Sequence, residues 1–192
     1  MESCKPAWLV IAWRLPAGGS AGRVSVWRAL KRLGAAGLTP GAAVVPFRED
    51  LEEQLDWLAQ DVEQQGGDAW VLPVLSLSGL EEQRVRASLN VERKGEYDAL
   101  ASKARDFLRR AAGHPGPGGT YADRLRAEQE LVALQRHFNK IRQRDYLAAP
   151  GRREAATTID RCLAFKQGIS RTLQPVTDPH PELEGCRDAI RH

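Results

Sequence analysis

The chain has little of what a catalytic or metal-binding protein is usually built around. Cysteine is scarce: Cys4, Cys162 and Cys186 are too few and too scattered for a disulfide framework, and none forms a Cys-x-x-Cys pair. Reduced thiols in a cytoplasmic protein are therefore expected. The four histidines, His114, His137, His180 and His192, lack zinc-ligand spacing among themselves or with cysteine. No apolar run reaches the roughly 20 residues of a membrane-crossing helix, since the longest, Ala7 to Trp13, is far shorter. It also carries no signal-cleavage pattern, so no membrane association is expected. Possible nucleophiles such as Ser20, Ser25 and the three cysteines have no recognisable base or orienting group near them in sequence. The expectation is a protein that is not an enzyme and that needs no metal or other cofactor.

What is present is an ordinary globular balance of 42% hydrophobic and 28% charged residues over 192 positions. The charge is unevenly placed. Residues 1–78 hold seven Lys and Arg against nine Asp and Glu, whereas residues 79–192 hold 21 against 16. A basic second half points to an acidic partner.

Ala7 to Trp13, bounded by Pro6 and Pro16, reads as a central strand buried on both faces. Arg23 to Gly34 sets Val26, Trp27, Leu30 and Leu33 on one side of a helix and Arg28, Lys31 and Arg32 on the other, with Gly34 as the stop. Thr39-Pro40-Gly41 is a turn between two short extended segments, Ala35 to Leu38 and Ala42 to Phe47. A second amphipathic helix spans Glu49 to Gln65, with Leu51, Leu55, Leu58 and Val62 inward, Glu52, Glu53, Asp56 and Glu63 on its wet face, and Gly66-Gly67 ending it. Ala69 to Leu75 is a further strand, placed at an edge or strand end by Pro73.

The order β-α-β-β-α-β over residues 1–78 implies an α/β (α+β) domain of the ferredoxin-like kind, with one sheet face left needing a cover or a partner. Residues 79–174 read as a mostly helical extension. Leu80 to Lys94 fits no single period, Glu96 to Ala112 is clearly helical, and residues 113–119 are a Gly/Pro linker. The stripe Leu131, Leu134, Phe138 and Ile141, answered by Ile159, Cys162, Leu163, Ile169 and Leu173 across Pro150-Gly151, predicts an antiparallel helical hairpin. Residues 175–192 read as an irregular tail.

Three features carry chemistry. Gly18-Gly19-Ser20-Ala21-Gly22-Arg23 lies between the first strand and helix but has neither the ending of a P-loop nor the spacing of a dinucleotide fingerprint, so it is taken as a connection. Arg23, Arg28, Lys31 and Arg32 on the first helix form one basic cluster. Arg136, Lys140, Arg142, Arg144, Arg152 and Arg153 form a second, six cations against the single acid Asp145. Both suit a phosphate backbone. The five tryptophans, Trp8, Trp13, Trp27, Trp57 and Trp70, fall within predicted elements and are expected to pack in the core.

The run Arg23-Val24-Ser25-Val26-Trp27-Arg28-Ala29-Leu30-Lys31-Arg32-Leu33-Gly34-Ala35, followed by Gly41-Ala42-Ala43-Val44-Val45-Pro46, resembles the N-terminal region of the ChrB family of chromate-resistance regulatory proteins. Gly66-Gly67-Asp68-Ala69-Trp70 and Arg144-Asp145-Tyr146-Leu147-Ala148-Ala149-Pro150-Gly151 extend the resemblance, which runs from about Trp8 to Leu173. It implies a chromate-linked transcription regulator whose N-terminal part contacts operator DNA. Chromate is a candidate effector because it is a dianion that arginines could hold, and the uncovered sheet face or edge makes a homodimer the expected assembly. Longer members carry a further domain linked to the chromate response, and the chain ends before it, so DNA binding is the part of that role expected here. The alternative is a non-catalytic dimerisation or protein-interaction module of a chromate-resistance system. A metal-dependent nuclease of similar fold would need a carboxylate at the end of the first strand, where Ala12-Trp13-Arg14-Leu15 has none.

Overall fold

The computed structural model describes residues 5–16, 20–112 and 121–172; the side chains of Tyr121 and Arg124 and those of residues 165–172 are outside the description. The linker at 113–119, the tail at 175–192 and the glycines Gly18 and Gly19 therefore lie outside the described residues. In chain order the elements are β1 (Trp8–Arg14), α1 (Ser20–Leu33), β2 (Ala36–Thr39), β3 (Ala42–Pro46), α2 (Glu49–Gln64), β4 (Asp68–Val74), α3 (Gly79–Ala112), α4 (Tyr121–Gln143) and α5 (Arg152–Thr172). The four strands form one antiparallel sheet in the order β2-β3-β1-β4. The apolar run of β1 is continuous because both its edges are paired and both its faces are covered.

Alternation along β1 serves two cores. Leu9, Ile11 and Trp13 face α1 and α2, where Val26, Leu30, Leu51, Leu55, Leu58 and Val62 complete a buried cluster. Trp8 and Val10 face the other way and pack with Ala36, Val44 and Val74 against Val85 and Leu89 of α3. The second sheet face thus has an internal cover over part of its area. Each fully buried Leu or Ile contributes roughly 1.5–3 kcal/mol through the surface it removes from water.

The first turn of α2 carries Glu49, Asp50 and Glu52, charges that complement the helix dipole at that end. Its last turn closes at Gly66, whose positive φ of 77° lets the Gly66 and Gly67 amides donate to Glu63 and Val62 carbonyls. Trp8 and Trp13 are buried and Trp27 is half-buried, as core packing requires, but Trp57 and Trp70 are 59% and 54% exposed. Both were expected inside. Trp57 sits off the Leu51-Leu55-Leu58-Val62 stripe of α2, and Trp70 points from β4 to the part of the sheet face that α3 does not reach.

The segment Leu80 to Lys94, which fits no single period, and Glu96 to Ala112 form one continuous helix of 34 residues, about 51 Å long. The pattern is blurred because the helix changes partners midway. Val85 and Leu89 face the sheet; Tyr97, Leu100, Ala104 and Phe107 face α4 and α5. Leu131, Leu134 and Ile141 of α4 and Ile159 and Cys162 of α5 share that second helical core, with Phe138 and Leu163 half-buried against it. Of the anticipated stripe, Ile169 and Leu173 fall outside the residues whose side chains are described. Cys162 is a free, buried thiol whose pKa is pushed up by burial.

Ala148, in the connection between α4 and α5, has a positive φ of 53°, a conformation that a Cβ resists by roughly 1–2 kcal/mol. Glycine relieves that strain and gives back part of the gain in unfolded-state entropy. Ala148→Gly is expected to stabilise the fold by about 0.5–1 kcal/mol, seen as a raised urea midpoint with an unchanged slope. A lowered midpoint would show that the connection is not strained there.

Candidate nucleic-acid interface

The site begins with the way the α4–α5 connection is fastened to the end of α1. A helix leaves its last carbonyls without partners. Here the Arg144 Nη1 donates to the Lys31 carbonyl at 3.1 Å and the Tyr146 hydroxyl to the Leu33 carbonyl at 2.5 Å. Gly34 permits this approach: its φ is +75°, and an added Cβ would lie 2.9 Å from Arg144 Cβ. Between the two, Asp145 points inward with its side chain fully buried, accepting from the Tyr97 hydroxyl at 3.1 Å and from the Ala149 amide at 2.9 Å. Arg152 stands 3.7 Å away. Burial, the Asp145 charge and their hydrogen bond together push the Tyr97 phenol well above its ordinary pKa, and burial raises that of Tyr146.

This junction holds open a cleft of about 1030 Å³ between α1, the start of α2 and the end of α4. Five cations line it, Arg32, Arg48, Lys140, Arg142 and Arg144, against the two acids Asp50 and Asp145. A second depression of about 790 Å³ runs along α4, lined by Arg136, His137, Lys140 and Arg144 with the acid Glu128, and by the apolar Leu125 and Val132. Lys140 and Arg144 border both, so the two join into one basic tract. Burial first, and the charge of Lys103 second, lower the His137 pKa below the ordinary imidazole value.

The cations differ in how far they are already engaged. Arg48 forms a two-point pair with Asp50, at 2.9 and 2.8 Å, and lies over the Tyr146 ring. Arg144 is held by the Lys140 carbonyl and Glu96 as well as by Lys31. Lys31 pairs with Glu92 of α3. Among the described residues Arg32, Lys140 and Arg142 have no carboxylate partner, so within the cleft these three are the charges left to an outside ligand.

The two clusters read from sequence are therefore joined in part. Arg32 of the first meets Lys140, Arg142 and Arg144 of the second, and Arg136 continues the tract. Arg23, Arg28, Arg152 and Arg153 do not line either depression, Arg152 being turned toward Asp145. Arg48 and Tyr146 were not anticipated as site residues; only the Arg-Asp-Tyr run of the family resemblance touched one of them. Arg14, at the end of β1 where a nuclease would place a carboxylate, instead pairs with Asp68 at 2.6 Å. Among the described residues no group of three or more His, Cys, Asp or Glu could hold a metal ion, and no helix is long and apolar enough to cross a membrane.

Among the described residues, fold and site together define a mixed α/β protein with a four-stranded antiparallel sheet, five helices and a basic tract where the α4–α5 connection meets α1. The family model for the N-terminal part of protein ChrB matches residues 23–173, and the chain belongs to that family. It is 35% identical over 96 residues to protein ChrB of Cupriavidus metallidurans, a match that covers 50% of this chain and 29% of that protein. No solved structure matches it.

Removing the Asp145 carboxylate leaves the Tyr97 hydroxyl and Ala149 amide buried without acceptors. Asp145→Ala is expected to cost about 2–4 kcal/mol, lowering Tm by roughly 10 °C in a chain of this size. A Tm within two or three degrees of the parent would show that the junction does not depend on it.

Proposed function

We propose that this chain is the DNA-binding part of a regulator in a chromate-resistance system, with the basic tract as its phosphate-contacting surface. The observation that carries the reading is the meeting of Arg32, from α1, with Lys140 and Arg142, from α4, in one cleft where none of the three forms an ion pair among the described residues. Membership of the ChrB N-terminal family supports the same assignment. The sheet order β2-β3-β1-β4 with a β-α-β-β-α-β chain order favours the ferredoxin-like description of the first part. The α4 and α5 helices, joined through Pro150-Gly151 over a shared core, favour the helical-hairpin description of the second.

Cations of this kind position a protein on the backbone and carry no sequence information by themselves. Arg23, Arg28 and Arg153, also without ion pairs among the described residues, are further cations outside the cleft. Chromate is a tetrahedral dianion that the same three cations would hold, so it acts on this reading as a competitor for the phosphate contacts.

Titration of a labelled duplex from the upstream region and a scrambled control, at 50 and 200 mM salt, tests the proposal. Expected is preferential binding of the upstream duplex with a steep salt dependence. Replacing Arg32 and Arg142 by Gln removes two contacts, so the slope of log K against log salt becomes shallower by about 2 and the affinity falls at least about tenfold. Chromate lowers the affinity, and sulfate at equal ionic strength serves as the control. Weak, equal binding of both duplexes, unchanged by the double substitution, would sink the assignment.

A further inference from the structure

The half of the sheet face that α3 leaves bare ends in an edge strand with unusual properties. On β4, Ala69 and Val71 pack toward the α1–α2 core, while Trp70 and Leu72 point to the other face. Val74, next in that row, lies under α3, but Trp70 remains 54% exposed and Leu72 48%; Leu75, just past the strand, is 56% exposed. No charged residue occurs from Ala69 to Leu80. Edge strands that stay single usually carry a lysine, an inward charge or a covering element. Among the described residues, this one has Pro73 alone.

The register shows which backbone groups face outward. Trp13 donates to the Gly41 carbonyl, so within β1 the odd-numbered residues bond to β3 and the even-numbered ones to β4; Ala7, just before the strand, bonds to both sides, its carbonyl accepting from Phe47 and its amide donating to the Val74 carbonyl. Opposite them, Asp68, Trp70, Leu72 and Val74 bond to β1. Ala69, Val71 and Pro73 accordingly turn their peptide groups to the free edge, where the donor Pro73 lacks is one the sheet does not use.

We propose that β4 is the seam of a homodimer in which two copies pair their β4 strands antiparallel about a twofold axis at Val71. In that register Val71 exchanges two hydrogen bonds with the partner's Val71, and each Ala69 amide reaches the partner's Pro73 carbonyl. The bond that Pro73 cannot make is the only one lost on each side. Trp70 of each copy falls opposite the partner's Leu72, so the apolar row is complementary to itself, as an isologous interface requires. Trp70, Leu72 and Leu75 offer on the order of 300 Å² of apolar surface per copy, and strand pairing brings the total buried area toward the roughly 1,000 Å² at which specific interfaces begin. The uncharged edge adds no repulsion between two copies that each carry a net charge of +3. The dimer is thus weak and concentration-dependent, and it does not depend on the DNA-binding reading.

Sedimentation velocity of the full chain from 1 to 200 µM is the first readout, with Leu72→Lys, whose folding is checked by circular dichroism. Expected is a monomer–dimer equilibrium that the substitution weakens by at least about tenfold. The second readout fixes the register. Trp70 and the partner's Leu72 form a pair not hydrogen-bonded to each other, with Cα atoms about 4.5 Å apart, within disulfide reach. With Cys4 and Cys186 replaced by Ser, a mixture of Trp70→Cys and Leu72→Cys chains is expected to cross-link on mild oxidation far more than either alone. A chain that is monomeric at 200 µM overturns the proposal. So does a dimer that survives Leu72→Lys and gives no mixed cross-link, or an edge occupied by a different protein with no self-association.

Discussion

One buried carboxylate, that of Asp145, sets the relation between the sheet and the helical part of the molecule. It is fully withdrawn from solvent, and it is tolerable there because the Tyr97 hydroxyl and the Ala149 amide satisfy it and Arg152 stands near. Its neighbours on either side do the opposite job, reaching outward to close the C-terminal end of α1: Arg144 through the Lys31 carbonyl, Tyr146 through that of Leu33. Three consecutive residues therefore anchor in one core and cap a helix of the other. The cleft exists because this fastening holds the end of α4 beside α1.

The long α3 helix makes that arrangement stiff. Its first half is part of the sheet core and its second half part of the helical core, so movement of one against the other requires a helix to bend. At the crossover Arg93 is buried at 3% exposure between Glu92 and Glu96. The Arg93 pairs are imperfect: Nη1 is 3.0 Å from Glu96 without hydrogen-bonding geometry, and Nε meets no acceptor. Such a group is weak evidence for stability and stronger evidence for a fixed register, because any sliding of α3 would strand a charge in the interior.

Much of the first core could be read in the sequence, because β1, α1, α2 and β4 each show one clean periodicity matched to one partner. The reading weakened wherever a segment serves two partners or none. Leu80 to Lys94 gave no period because α3 leaves the sheet along it, and Trp70 was assigned to the core because an apolar residue on an edge strand looks the same whether its face is covered or bare. For the site, both halves of the basic tract were visible as charge clusters, but their meeting was not: Arg32 and Lys140 are brought together by tertiary contacts of Arg144 and Tyr146 that no local pattern encodes. Arg48 had no signal at all. It precedes α2 as an isolated cation, and only the Tyr146 ring beneath it and Asp50 beside it give it a place.

The distribution of partners among these cations bears on what the tract is for. Arginines with a structural task are tied down here, Arg144 by three acceptors and Arg48 by a two-point carboxylate pair. Arg32, Lys140 and Arg142 line the same cleft without an ion pair among the described residues, the two acids of its lining being engaged elsewhere, Asp50 by Arg48 and Asp145 by Tyr97 and Ala149. Like charges gathered in this way repel one another, a cost that a surface selected only for solubility avoids by mixing signs. Leaving them unpaired is favourable when an anion regularly supplies the missing charge. On the DNA-binding reading proposed above, the continuation of the positive surface along α4 to Arg136 beyond the cleft is expected, since one small oxyanion would need only the three convergent groups and a phosphate backbone rewards each further cation along its path.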